Sequence, residues 1–158
     1  MLFFRAAGEY HQSIAIYPHY SDAWCNLGVT CHNLNQKEKE FDAYQKVIAY
    51  QPENIDALNN IGTVYCERGD YERAVTYYRK ALEIKSDYAS ACANMGYVQF
   101  RLQKYHDALS WYEKALRLNP KDKTTYANKG ELYKAMKDTV RAGQCFAIAH
   151  LLDSTGQR

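Results

Sequence analysis

Cys31 and His32 stand side by side, and a thiol beside an imidazole is the pairing that generates a thiolate nucleophile. His106 and Asp107 form a second adjacent couple, of the kind in which a carboxylate orients an imidazole base. Neighbours on an α-helix point about 100° apart, so neither couple shares a face; His106-Asp107 reads as a surface pair. The five cysteines are odd in number and contain no CxxC pair. That excludes a thiolate metal site or a disulfide framework and predicts a reducing, cytoplasmic setting. No phosphate loop, dinucleotide fingerprint, nucleophile elbow or HExxH helix is present. The residues therefore predict no enzyme, no metal and no cofactor. What remains with chemical character is a set of four asparagines, Asn26, Asn60, Asn94 and Asn128. A side-chain amide donates and accepts at once, so one per unit length can pair with the backbone of an extended peptide. The alternative is that each amide bonds to the adjacent helix, or was copied by duplication.

The asparagines recur every 34 residues, and two residues after each comes a glycine: Gly28, Gly62, Gly96 and Gly130. Sixteen residues beyond each glycine is a ring, Tyr44, Tyr78, Tyr112 or Phe146, and prolines punctuate at Pro18, Pro52 and Pro120. Numbering each repeat from Ser21, Ile55, Ala89 and Lys123, positions 4, 7, 8 and 11 form one helical face, exemplified by Leu58, Ile61, Gly62 and Tyr65. Positions 20, 24 and 27, as in Ala74, Tyr78 and Ala81, form the stripe of a second helix. Glycine and alanine let the two backbones approach while the ring fills the space beside them. Each repeat is thus a pair of helices joined by a short turn, for which Gly69-Asp70 is well suited. Of fifteen tyrosines, eight fall in such packing slots, so the tyrosine excess is mostly core.

The 158 residues carry 20 Lys+Arg against 18 Asp+Glu, a net +2, and are 47% apolar. That suffices for a sizeable core and rules out wholesale disorder. It offers no broad basic field, so neither nucleic acid nor a membrane surface is an expected partner. No apolar run approaches the ~18 residues needed to span a bilayer, and Arg5 and Glu9 interrupt the first segment too early for a secretory signal.

Leu58, Ile61, Gly62, Tyr65, Gly69, Tyr71, Ala74, Tyr78, Ala81 and Leu82 together resemble the tetratricopeptide repeat, and the resemblance covers essentially the whole chain. It implies an all-α fold, a right-handed superhelical solenoid of antiparallel helix pairs. Residues 1–20 match the second helix of an incomplete repeat, followed by repeats at 21–54, 55–88, 89–122 and 123–156 in one continuous domain. It also implies that the first-helix face opposite position 4 lines a concave groove. On the helical wheel that stripe holds positions 2, 6, 9 and 13, and the candidate peptide-binding residues are Asn26, Asn60, Asn94, Asn128, Asp56, Thr63, Glu67, Tyr97, Arg101 and Glu131. The asparagines are similar to the ladder in the repeat domains of O-linked N-acetylglucosamine transferases.

Asp22, Asp56, Glu67 and Glu131 against Arg101 give the stripe a charge of −3, which predicts a neutral or basic protein or peptide partner. A carboxylate clamp for an acidic chaperone tail is not expected, because Cys25, Val29 and Ser90 stand where such a clamp needs lysine, asparagine and lysine. Tyr97, Phe100 and Arg101 make one aromatic and cationic cluster: a binding hot spot, or simply Phe100 packing between repeats beside an amphipathic Tyr97. Two departures bear on packing. Lys37 and Glu40 replace an aromatic and a small residue, so the first helix pair is expected to pack less tightly. Lys129 occupies an apolar slot, with its stem expected along the core and its ammonium in solvent. Phe3, Phe4, Tyr10 and Ile14 are expected to lack a partner helix, which predicts a piece of a longer array or a homo-oligomer through residues 1–20. The chain reads as a non-enzymatic interaction scaffold. The alternative is the targeting or substrate-recognition module of a larger enzyme such as a glycosyltransferase.

Overall fold

The computed structural model describes the backbone of residues 2–155 and the side chains of 5–154; those of Phe3 and Phe4, and the repeat limit at 156, lie outside the described residues. Nine helices account for all the regular structure among the described residues. They fall into two compact units, Met1–Ile84 and Lys85–Arg158. The first holds α1 (Leu2–Ile16), α2 (Ser21–Asn33), α3 (Lys37–Tyr50), α4 (Ile55–Glu67) and α5 (Tyr71–Ile84). The second holds α6 (Ala89–Arg101), α7 (Tyr105–Leu118), α8 (Lys123–Ala135) and α9 (Thr139–Thr155).

The turn inside each pair has one construction. Carbonyls of Cys31, Tyr65, Gln99 and Tyr133 accept from the N–H of Gln36, Asp70, Lys104 and Asp138 at 2.8, 2.9, 2.9 and 2.9 Å. This is the six-to-one bond of a Schellman ending. It requires the residue before the donor to be left-handed, and Asn35, Gly69, Gln103 and Lys137 have φ of 55°, 79°, 60° and 63°. Only Gly69 does so without a Cβ. Asp70 and Asp138 then start the next helices by accepting from the N–H of Arg73 and Arg141 at 3.1 and 2.9 Å.

The reversal sets each glycine under its ring. A Cβ added to Gly28, Gly62, Gly96 or Gly130 would lie 2.5, 2.6, 2.6 or 2.6 Å from the ring of Tyr44, Tyr78, Tyr112 or Phe146. The approach at Gly28 is therefore as close as in the other pairs, contrary to the looser packing expected from Lys37 and Glu40. A second buried stripe escaped the helical-wheel reading: positions 3 and 10, namely Ala23 and Thr30, Ala57 and Val64, Ala91 and Val98, Thr125 and Leu132. In the second unit Leu132 of α8 joins Ala108 and Tyr112 of α7 in one cluster, so there this stripe seats α8 on α7.

Within the first unit α1 also packs on a first helix, but in a cluster with positions 7 and 11 of α2. Ala7, Tyr10 and Ile14 pack, with Trp24, against Leu27, Cys31 and Ala43. Tyr10 and Ile14 thus do have a partner helix, which corrects the expectation above. Two ion pairs tie α3 to the end of α4: Lys37 to Glu67, and Arg68 to Glu38 at 3.0 Å. Lys129 lays its stem in the core as expected, but its ammonium meets Glu113 at 3.5 Å and the ring of Tyr133 rather than open solvent.

Candidate functional site

Positions 2, 6, 9 and 13 of α2 and α4 stay out of the core, as the wheel requires: Asp22, Asn26, Val29 and Asn33 of α2 are exposed, and Asn60 and Thr63 of α4 are half-buried between exposed Asp56 and Glu67; in α6, Tyr97 at position 9 packs against the core. Between them, in the first unit, lies a cavity of about 240 Å³ lined by Val29 and His32 of α2, Glu40 and Tyr44 of α3, and Asn60 and Thr63 of α4. Its position follows from the packing. Tyr44 lies against Gly28, and its hydroxyl faces the Asn60 amide, which favours the charged form of the phenol. Tyr78 donates from its hydroxyl to Thr63 Oγ1 at 3.3 Å, and Thr63 donates to the Asn59 carbonyl at 3.2 Å.

Glu40 is the unusual wall. It is 2% exposed, where the equivalent residues are Ala74, Ala108 and Ala142. One carboxylate oxygen, Oε1, accepts from His32 Nδ1 at 3.0 Å, which assigns the proton to that nitrogen when the carboxylate is charged. The other, Oε2, is buried without a hydrogen-bond partner, and its nearest cation is Lys37 at 3.8 Å. Burial pushes the Glu40 carboxyl above the ordinary carboxylate range, although His32 and Lys37 both favour its charged form. Burial, and then the charge of Glu40, raises the Tyr44 phenol well above its usual range.

The expected site residues divide between the units. In the first, Asn60 and Thr63 share the cavity, Glu67 is held by Lys37, and Asn26 and Asp56 lie along the same stripe. The second carries Asn94, Tyr97, Arg101, Asn128 and Glu131 on α6 and α8. There Arg101 donates to the Tyr97 hydroxyl at 2.8 Å and lies over its ring, whereas Phe100 turns to the ring of Tyr105 and leaves that cluster. Glu131 lies 3.6 Å from Lys134. The stripe's count of −3 therefore omitted Lys37 and Lys134, which neutralise two of its acids from neighbouring positions, and omitted the buried Glu40. His32, Glu40 and Tyr44 were not among the expected binding residues; a glutamate in the slot otherwise held by alanine was the available sign.

Burial raises the thiols of Cys31, Cys92 and Cys145, and burial with Asp56 and Asp22 pushes Cys25 up to about 11. His106 and Asp107 are both exposed at the start of α7.

Family models described as tetratricopeptide repeats match residues 21–54, 43–76, 62–103 and 89–122. Among curated proteins none matches the chain. Among solved structures, one described as MamA superposes with a TM-score of 0.78 at 18% identity, covering 98% of this chain and 91% of that one. The pilF protein of Pseudomonas aeruginosa gives 0.82 at 23% identity over 94% of this chain and 68% of its own. YrrB, described as a TPR protein with an unusual peptide-binding site, gives 0.69 at 19% identity over 98% and 83%.

Proposed function

The chain belongs to the tetratricopeptide-repeat family, and from that premise we propose that it is a non-enzymatic interaction scaffold that holds an extended peptide on the first-helix faces. The observation that carries this reading is the cavity of the first unit, where the recurring asparagine of α4 meets Val29, Tyr44 and Thr63 on the face that the fold leaves uncovered. Asn26 and Asn60 provide amides in the first unit and Asn94 and Asn128 in the second, each able to engage a peptide backbone. Asp56, Thr63, Glu67, Tyr97, Arg101 and Glu131 add selectivity for neutral or basic partners over acidic ones. The peptide-binding site described for YrrB supports the reading by analogy. The free thiols suit a reducing, cytoplasmic setting, and no helix among the described residues is long and apolar enough to cross a membrane.

The test is selection of extended peptides from a displayed random library. Selected peptides should lose at least about tenfold in affinity when Asn26→Ala and Asn60→Ala are combined, as expected for two lost buried hydrogen bonds. The doubly substituted chain should lose at most about 1–3 kcal/mol of stability, because Asn60 also faces the Tyr44 hydroxyl, and binding is compared where both chains are folded. Failure to enrich any peptide would overturn the reading.

A further inference from the structure

We infer that the cavity walled by Glu40 is a subsite for one basic side chain, a lysine or arginine, of the peptide that the proposed scaffold function would bring to this face. The inference rests on that reading and adds the chemistry of a partner residue to it. A carboxylate taken out of water needs a cation or several donors to compensate the lost hydration. Glu40 has only half of this. His32 serves Oε1, while Oε2 accepts no hydrogen bond and has only the Lys37 ammonium, 3.8 Å away, although Glu40 lines the cavity.

The charges facing Glu40 do not complete the pairing. They are His32 on α2, Lys37 on the same helix, and Glu67 on α4. Lys37 is committed to Glu67, to which it donates a hydrogen bond, and stands 3.8 Å from Glu40 Oε2. With the imidazole neutral, two carboxylates and one ammonium leave a single negative charge.

The rest of the lining fits a basic side chain and no acid. Val29 and Tyr44 give it apolar lining that suits an alkyl stem, and Asn60 Oδ1, 3.5 Å from Asn59 Nδ2, and Thr63 Oγ1, which accepts from the Tyr78 hydroxyl, add polar oxygens. The lining joins exposed Val29 to buried Glu40, an arrangement that suits reading one side chain of an extended segment. The other repeats hold alanine at this slot. The subsite is therefore single and would set the register of the bound segment.

The experiment selects displayed random peptides on the wild-type chain and on Glu40→Gln in parallel, followed by titration calorimetry of synthetic peptides. Wild-type selections should share a lysine or arginine at one position. Replacing that residue by norleucine should weaken binding about tenfold, as for one charge-assisted hydrogen bond. In Glu40→Gln the same replacement should change affinity less than about twofold. Glu40→Ala, which restores the residue type of the other repeats, should behave as Glu40→Gln does and guards against a misfolded variant. Peptides that bind, and lose affinity on Asn26→Ala with Asn60→Ala, yet show no basic position or keep their preference in both Glu40 variants, would overturn the subsite and leave the groove reading standing. No enrichment of any peptide would overturn both.

Discussion

Gly62 lies so close under Tyr78 that a methyl group there would stand 2.6 Å from ring atom Cε1. Real Cβ atoms do not approach a ring so nearly, and the ring is itself fully buried, so the helices must part. Gly62→Ala should destabilise by about 1–3 kcal/mol, despite the ~1 kcal/mol that alanine adds to an ordinary helix. Gly8 in α1 has nothing within 4 Å of an added Cβ, so Gly8→Ala should stabilise by up to ~1 kcal/mol. Urea midpoints of the two variants moving in the same direction would refute the close-approach argument.

Gln103 and Lys137 hold φ of 60° and 63° in turns where Gly69 has 79°. A side chain in that region costs about 1–2 kcal/mol, partly offset by the greater unfolded entropy of glycine. Gln103→Gly and Lys137→Gly should each stabilise by about 0.5–1 kcal/mol, and Gly69→Ala should destabilise by about 1 kcal/mol. Calorimetric melts check all three.

Much of the architecture could be read from the 34-residue spacing, and the reason is physical. A glycine that must sit under a ring tolerates no substitute, so Gly28, Gly62, Gly96 and Gly130 recur visibly. The left-handed turn residue did not show, because Asn35, Gly69, Gln103 and Lys137 share a backbone angle and no side-chain chemistry. The stripe of Thr30, Val64, Val98 and Leu132 was missed because a helix packed on two sides buries more than one face, and the wheel was read for one. The candidate site was half legible. Asn60 and Thr63 lie on the predicted face, but the partners that define the cavity, Glu40 and Tyr44, come from the other helix of the preceding pair. By spacing alone Glu40 reads as a packing defect, since its burial beside His32 depends on contacts that no periodicity records.

Glu40 also makes stability depend on pH. Its folded carboxyl titrates above the unfolded value of about 4.3, so the folded state holds the proton more tightly. The stabilisation is full below ~4.3 and is lost as pH rises from there through the folded value. Relative to Glu40→Gln, the wild-type chain should become less stable across that window and then level off. Urea unfolding of both proteins at a series of pH values measures the difference; a gap that widens in favour of wild type would contradict the sign.

Cys25, pushed up to about 11, should hold roughly one thiolate in a thousand at pH 8. Its alkylation by iodoacetamide in the folded protein should be on the order of a hundredfold slower than that of a free cysteine peptide. Peptide mass spectrometry of a quenched time course would expose a faster, activated thiol.

The crossed ion pairs between α3 and α4 have a bearing on misassembly. Lys37 faces Glu67, and one step along each chain Glu38 faces Arg68, so the sign order is inverted between neighbours. Sliding one helix by a single residue would set Lys37 against Arg68, or Glu38 against Glu67. At the surface such a pair adds little to the depth of the correct minimum. Its larger effect is to raise the nearest wrong alignment, which matters most in a chain whose segments repeat one packing pattern and so offer many almost-right ways to dock.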